Sequence, residues 1–313
     1  MSNEVIMLAQ EIGLSLAGYA RAAQHRIVIA CPFIKRKALE RLIADVAPSV
    51  NVTVFTRWAV DEIRSGVSDL TVFNLLRERD GTRLLLHGRL HAKIVLIDDE
   101  AVVIGSANVT DAALGFAESA NAEVMVCLRP VPNRLFLFLR QIEIESIPAT
   151  EELQKRFEDA ANSAPLPLTP PNLEIAVTSA SRRSPFPSFR NPERLYQGYR
   201  SVTEFNDPEM RAAVLDDLVT LALPDGLDES SFRQRVGSAL LSIELLSALD
   251  AFVSEPKFFG EITDWLKKES LLAGQSHDVV QRYLQTVIRW FRYFLPGGYR
   301  FDSPDYSDVF RLV

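Results

Sequence analysis

Short apolar runs alternate with helical-period segments through the first half of the chain. Residues 26–30 (RIVIA), 52–56, 83–87, 92–97, 101–104 and 124–128 are brief and rich in Val, Ile and Leu, as strands are. Residues 4–23, 35–47, 70–77 and 132–144 instead space their apolar positions as one face of a helix does. Strands interleaved with helices predict an α/β/α sandwich. The strands are almost wholly apolar, so both faces of the sheet should be covered.

The pattern changes near residue 146. Residues 146–192 hold eight of the 17 prolines, and proline removes a donor and fixes φ. This predicts a Pro-rich linker over 148–192, between a catalytic domain at 1–147 and a mainly helical domain at 193–313. In the latter, Asn206-Asp207-Pro208 reads as a helix cap, 236–253 as one buried helix, and Ser276 as the cap of a helix reaching Phe294.

Composition narrows the class. The chain has 313 residues, 47% hydrophobic and 24% charged, which suits a globular fold with a sizeable core. No run of about 18 uncharged apolar residues appears, which argues against stable membrane insertion. The start, with Glu4 and Glu11, lacks the basic region of a signal peptide, and two cysteines, Cys31 and Cys127, fit buried reduced thiols. These features predict a cytoplasmic protein. The net charge of −7 argues against a generic polyanion binder. Residues 1–148 carry 16 Lys+Arg against 17 Asp+Glu, and the remainder 18 against 24, so the acidity sits mainly in the second half. A nucleic acid held by the first half would need a local basic patch.

The chemistry concentrates in residues 90–115, LHAKIVLIDDEAVVIGSANVTDAALG. His91 and Lys93 are two apart, so on a strand they share one face. Asp98 and Asp99 start a tight turn, and the next strand returns Gly105-Ser106-Ala107-Asn108 beside His91. Gly105 lets backbone or substrate come close. A nucleophile, a fixed cation and hydrogen-bonding side chains in one place suit a phosphoryl group, whose oxygens need positive charge and donors as negative charge grows.

This spacing resembles the HKD signature of the phospholipase D superfamily at every fixed position. Six specified residues at fixed gaps would arise by chance less than about once in a hundred thousand chains of this length. The resemblance covers roughly residues 1–145 and includes Cys31-Pro32-Phe33-Ile34, Thr56-Arg57 and Asn121-Ala122-Glu123. It implies a phospholipase D-like fold with a mixed sheet and a two-step reaction without metal or other cofactor. His91 attacks phosphorus to form a phosphohistidine. A second motif histidine protonates the leaving oxygen and then deprotonates water. Lys93, Ser106 and Asn108 hold non-bridging oxygens, Glu123 orients a histidine, and Asp98 fixes local structure and pairs with a basic group.

The family mechanism needs two motif copies, and neither His25, His87 nor His277 begins a His-x-Lys. The second histidine should therefore come from another copy of the chain, across a two-fold axis. By resemblance, the protein is expected to be a homodimeric phosphodiesterase. A nuclease is the first reading, with DNA ahead of RNA and a bacterial restriction or anti-phage defence role by analogy. The helical domain would gate the site or bind a helicase or ATPase. A lipid phosphodiesterase or phosphatidyl transferase, and a non-catalytic phosphate-binding module, remain open.

Other residues carry two readings each. Arg57 either contacts phosphate or forms a surface ion pair, and Trp58 either stacks on a base or packs. His87 either helps bind substrate or ends a strand and touches solvent. Arg182, Arg183, Phe186, Phe189, Arg190, Arg194, Tyr196, Tyr199 and Arg200 either grip a single strand or pack onto the acidic domain. Arg57, Gly105, Arg182, Arg183 and Arg190 are the candidate substrate contacts.

Overall fold

The computed structural model describes residues 5–163, 185–268, 272–302 and 309–312. The chain divides into two compact units, Met1–Ser181 and Arg182–Val313.

The first unit is built on one mixed sheet. Its strands are β1 (Val5–Leu8), β2 (Arg26–Ala30), β3 (Asn51–Thr56), β4 (Thr82–Leu86), β5 (Ile94–Ile97), β6 (Ala101–Gly105), β7 (Val124–Leu128) and β8 (Ile147–Pro148). Their order is β1-β7-β6-β5-β2-β3-β4-β8. β2, β3 and β4 are parallel and every other pairing is antiparallel. The helices are α1 (Ile12–Ala22), α2 (Arg36–Ile43), α3 (Val60–Arg64), α4 (Val72–Arg77), α5 (Asn133–Ile144) and α6 (Glu151–Ser163).

Both sheet faces are buried, as the apolar strands require. Ile27, Ile29, Val52, Val54, Val95 and Val103 share one core cluster with Leu16 of α1, Leu39 of α2 and Phe157 of α6. The alternate positions Val28, Phe55, Leu96 and Val102 are buried too. Arg83 and Thr53 point to that second face, where the Arg83 guanidinium donates to Thr53 Oγ1 (3.3 Å) and to Glu143 Oε1 of α5 (2.9 Å). Helix α5 therefore covers the face opposite α1, α2 and α6, with Phe136, Leu139 and Ile142 buried. Each such aliphatic or aromatic burial stabilises by roughly 1.5–3 kcal/mol.

Residues 4–23 do not form one helix. Val5–Leu8 pairs with β7, and the helix starts only at Ile12. The unpaired edge of β7 takes up a segment whose local period is ambiguous. The linker expectation also changes at both ends. Residues 151–163 form α6, which buries Phe157 against Trp58 (ring centroids 5.7 Å apart). Residues 185–192 pack within the second unit. The expected linker boundaries counted prolines, but residues 149–164 contain none.

The second unit is mainly helical: α7 (Leu195–Arg200), α8 (Pro208–Leu221), α9 (Glu229–Leu240), α10 (Glu244–Phe252), α11 (Phe259–Leu266) and α12 (His277–Phe294). A small sheet joins β9 (Lys257–Phe258), β10 (Tyr299–Asp302) and β11 (Val309–Leu312). Asp207 caps α8 through Glu209 and Met210, with Pro208 in the first turn, as its sequence indicated. Helix 236–253 is instead two helices. The break at Leu241–Ile243 carries no Gly or Pro, and Ser242 closes α9 by donating to the Ala239 carbonyl (2.7 Å).

Asp217 organises this unit. Its carboxylate, fully enclosed on α8, accepts from Ser188 N (2.9 Å), Phe189 N (2.7 Å) and Ser188 Oγ (3.1 Å). Trp290 of α12 donates to the Phe189 carbonyl (2.6 Å). Burial pushes the Asp217 carboxyl up to about 7 from 3.8, outweighing those donors. Between these values the folded chain holds a proton that the unfolded chain has released. Stability should therefore fall as pH rises from about 4 to about 7. Asp217→Asn should flatten that part of the profile, read as urea midpoints at pH 4.5 and 7.5.

Candidate active site

The registers bring the motif to one end of the sheet. Ala30 faces Phe55 and Ile94, Thr56 faces Leu86, Ile94 faces Ile104, and Gly105 faces Met125. The same end thus carries Cys31 after β2, Arg57 after β3, His87 after β4, Lys93 before β5, Gly105 and Ser106 at the end of β6, and Glu123 before β7. Ligands of α/β sheets bind outside the carboxyl ends of parallel strands, and this is that end of β2, β3 and β4.

His91 and Lys93 lie just before β5, whose ladder begins at Ile94. His91 is exposed, and Lys93 donates from Nζ to the His91 carbonyl (3.0 Å). Gly105 N donates to the Lys93 carbonyl (3.3 Å), which sets the glycine beside the lysine. A Cβ at Gly105 would lie 2.1 Å from the Val124 carbonyl and 2.7 Å from Met125 Sδ, so no other residue fits without moving β7. Ser106 is exposed and donates to a carboxylate oxygen of Glu123, while its Oγ accepts from Val124 N (3.1 Å). Asn121 donates to the other Glu123 oxygen (3.2 Å). Among the described residues Glu123 has no hydrogen bond to a histidine. It fixes Ser106 instead.

Asn108 is half-buried and has a neighbour the sequence did not announce. The Cys31 thiol lies 3.5 Å from Asn108 Oδ1 and 3.3 Å from the Phe33 carbonyl, and Val109 N donates to Cys31 Sγ (3.4 Å). Burial pushes the Cys31 thiol up to about 11, despite those contacts and the nearby Lys93. It stays a neutral donor and holds the Asn108 loop.

Asp98 fixes local structure in the expected turn, but the expected ion pair is not its own. It sits at the far end of β5, in a tight turn where Asp98 and Asp99 both have positive φ. Its carboxylate accepts from Gln24 N (2.6 Å), His25 N (2.7 Å) and Arg26 N (2.9 Å). Burial opposes the charge, but these three donors hold the carboxyl below the usual carboxylate range. The ion pair with a basic group belongs to Asp99, which meets Arg26. Asp98 is therefore a structural clamp at the end of the hairpin away from His91 and Lys93.

Arg57 is braced and not free for phosphate. It pairs with Glu62, donates to the Leu90 carbonyl (3.3 Å) and lies over the Phe33 ring (5.3 Å). It thereby steadies the residue before His91. Trp58 is core, with Phe73 and Phe157 edge-on to it. His87 is buried, contrary to expectation, because its parity on β4 turns it under α5. Its Nε2 lies 3.1 Å from Glu145 Oε2. Glu145 has no local signal in the sequence; only the return of α5 over β4 brings it near His91.

The aromatic cluster of the second unit is packing. Phe186 and Phe189 are buried, Tyr196 and Tyr199 donate to the Leu227 (3.2 Å) and Pro224 (2.6 Å) carbonyls, and Arg194 lies over Phe205 (4.6 Å). Arg190 is exposed in that unit. Arg182 and Arg183 lie outside the described residues.

Residues 17–132 match the family model described as "Cardiolipin synthase, PLD-like domain". No curated protein matches the chain. Several solved structures resemble it, three of which follow. NucT from Helicobacter pylori is 18% identical over 48% of this chain and 100% of its own, with a TM-score of 0.41. The phospholipase D family member Nuc from Salmonella typhimurium is 18% identical over 48% and 100%, with a TM-score of 0.39. Phosphatidylserine synthase from Haemophilus influenzae is 13% identical over 51% and 44%, with a TM-score of 0.37.

Two substitutions test these assignments. Asp98→Asn should lower stability by roughly 1–3 kcal/mol, as three backbone donors lose an ionised acceptor. It should leave turnover intact below the melting range, whereas an Asp98 acting in the chemistry would abolish it. Gly105→Ala should cost about 1–3 kcal/mol of stability by overpacking, read from urea unfolding.

Proposed function

We propose that the first unit, whose residues 17–132 match the PLD-like domain model, is a phospholipase D superfamily domain, and that the protein is a metal-independent phosphodiesterase that cleaves nucleic acid, DNA ahead of RNA, as a homodimer. The observation that carries this reading is the convergence of His91, Lys93, Ser106 and Asn108 on one end of the sheet, with Gly105 allowing close approach.

The chemistry follows from those groups. A neutral His91 nitrogen attacks phosphorus, and the P–O bond to the leaving group breaks as the P–N bond forms. A histidine of the second copy gives its proton to the departing oxygen. In the second step the same histidine takes a proton from water, whose oxygen displaces His91. Lys93 supplies positive charge to the non-bridging oxygens, and Ser106 and Asn108 supply hydrogen bonds. Glu123 holds Ser106 in position, and Cys31 holds Asn108. The described residues contain no second histidine with a lysine two positions on, which supports completion of the site by a partner copy.

A phosphatidyl transferase is the second reading, favoured by the family model's description. No helix of the described residues is long and apolar enough to cross a membrane.

Labelled DNA, RNA and phosphatidylcholine vesicles, incubated with the protein in EDTA, separate these readings. Nucleic acid should be cut, and His91→Ala and Lys93→Ala should each lose more than about a thousandfold in rate while their melting curves stay unchanged. Mixed dimers of wild type and His91→Ala should be largely inactive, because one composite site uses both histidines. Turnover of lipid alone would replace the nuclease reading, and activity that EDTA removes and Mg²⁺ restores would contradict the phosphohistidine route.

A further inference from the structure

Beside His91 lies a hollow of about 270 Å³, lined by His87, Arg89, Leu90 and His91 on one wall and by Phe138, Gln141, Ile142 and Glu145 of α5 and its C-terminus on the other. Positions 138, 141, 142 and 145 form one stripe of the helix. None of the phosphate-binding groups proposed above, Lys93, Ser106 or Asn108, lines it. Resting on the nucleic-acid reading, we propose that this hollow is a nucleobase subsite, in which Phe138 stacks on the base next to the scissile phosphate.

Three observations carry this. Phe138 is 40% exposed, whereas Phe136 and Leu139 on the same helix are 3% and 7% exposed. A large ring left open beside a nucleophile offers a π-face to any base. The lining is mainly apolar and its charges are paired: Glu145 meets both His87 (3.1 Å) and Arg89 (3.6 Å), and Gln141 donates to Glu145. The paired charges leave little field to draw a second phosphate. A base covers the ring and offers its edge to Gln141 and Glu145. The hollow is below the range of about 300–1,000 Å³ for drug-sized ligands, which suits a single base and its sugar.

Binding is measured by fluorescence anisotropy in the full-length His91→Ala protein, with a labelled single-stranded oligodeoxynucleotide and an abasic chain of the same length. The base-bearing strand should bind more tightly. Phe138→Ala and Phe138→Leu should each weaken it roughly tenfold, the loss of one stacked base, and leave the abasic chain unchanged. Phe138→Trp should retain affinity. Equal affinity for the two chains, equal loss on both, or full retention by Phe138→Leu would overturn the subsite while leaving the nuclease reading intact. Failure of the wild-type chain to cut or bind either strand would overturn both. Loss of phosphatidylcholine vesicle binding in Phe138→Ala, with oligonucleotide binding unaltered, would assign the hollow to lipid.

Discussion

The Asp98 carboxylate, held by three backbone N–H groups at the start of β2, sets the register of the β5–β6 hairpin. A slip of one residue would turn every side chain of the hairpin to the other face. Lys93 and Gly105 face each other at its open end because the turn is pinned at the closed end. The fixed gaps of the motif therefore have a geometric meaning. Four residues separate Lys93 from Asp98 because that is the length of β5, and six separate Asp98 from Gly105 because the chain must turn and return along β6. Asp98 lies at the closed end of the hairpin, away from His91, yet the motif depends on its position.

From that anchor the rest of the site follows by neighbour contacts. Gly105 lies against Val124, so β7 must carry Glu123 beside Ser106. The Val109 segment is stitched to residues 31–35 by Val109 N to the Phe33 carbonyl (3.2 Å) and Lys35 N to the Val109 carbonyl (2.9 Å), which brings Asn108 to Cys31. Arg57 and His87 then brace the segment entering His91, one through the Leu90 carbonyl and the other through Glu145. Most of these groups are supports. The candidate reacting groups differ from the supports in exposure: His91 and Ser106 are open, whereas Cys31 and His87 are buried.

The sequence disclosed the sheet strands and the motif because both are local. An apolar run of five residues and a fixed gap between His91 and Lys93 need no knowledge of distant chain. It concealed what depends on tertiary partners. Val5–Leu8 is a strand only because β7 has a free edge, and His87 is buried only because α5 returns across β4. Glu145 and Cys31 offered no local pattern of function. The arginine and aromatic cluster left two readings open for a physical reason: stacking rings and packing rings have the same composition, and in the second unit the pull of a core around Phe189, Phe205 and Trp290 decides for packing.

The central claim is covalent catalysis by His91, and trapping the intermediate tests it most directly. The protein is mixed with a labelled oligonucleotide in EDTA, quenched in alkali, and digested for mass spectrometry. The account predicts a nucleotide attached to His91 that survives alkali, is lost in acid, and is missing in His91→Ala. An adduct on another residue, or rapid cleavage with no adduct at His91, would contradict it.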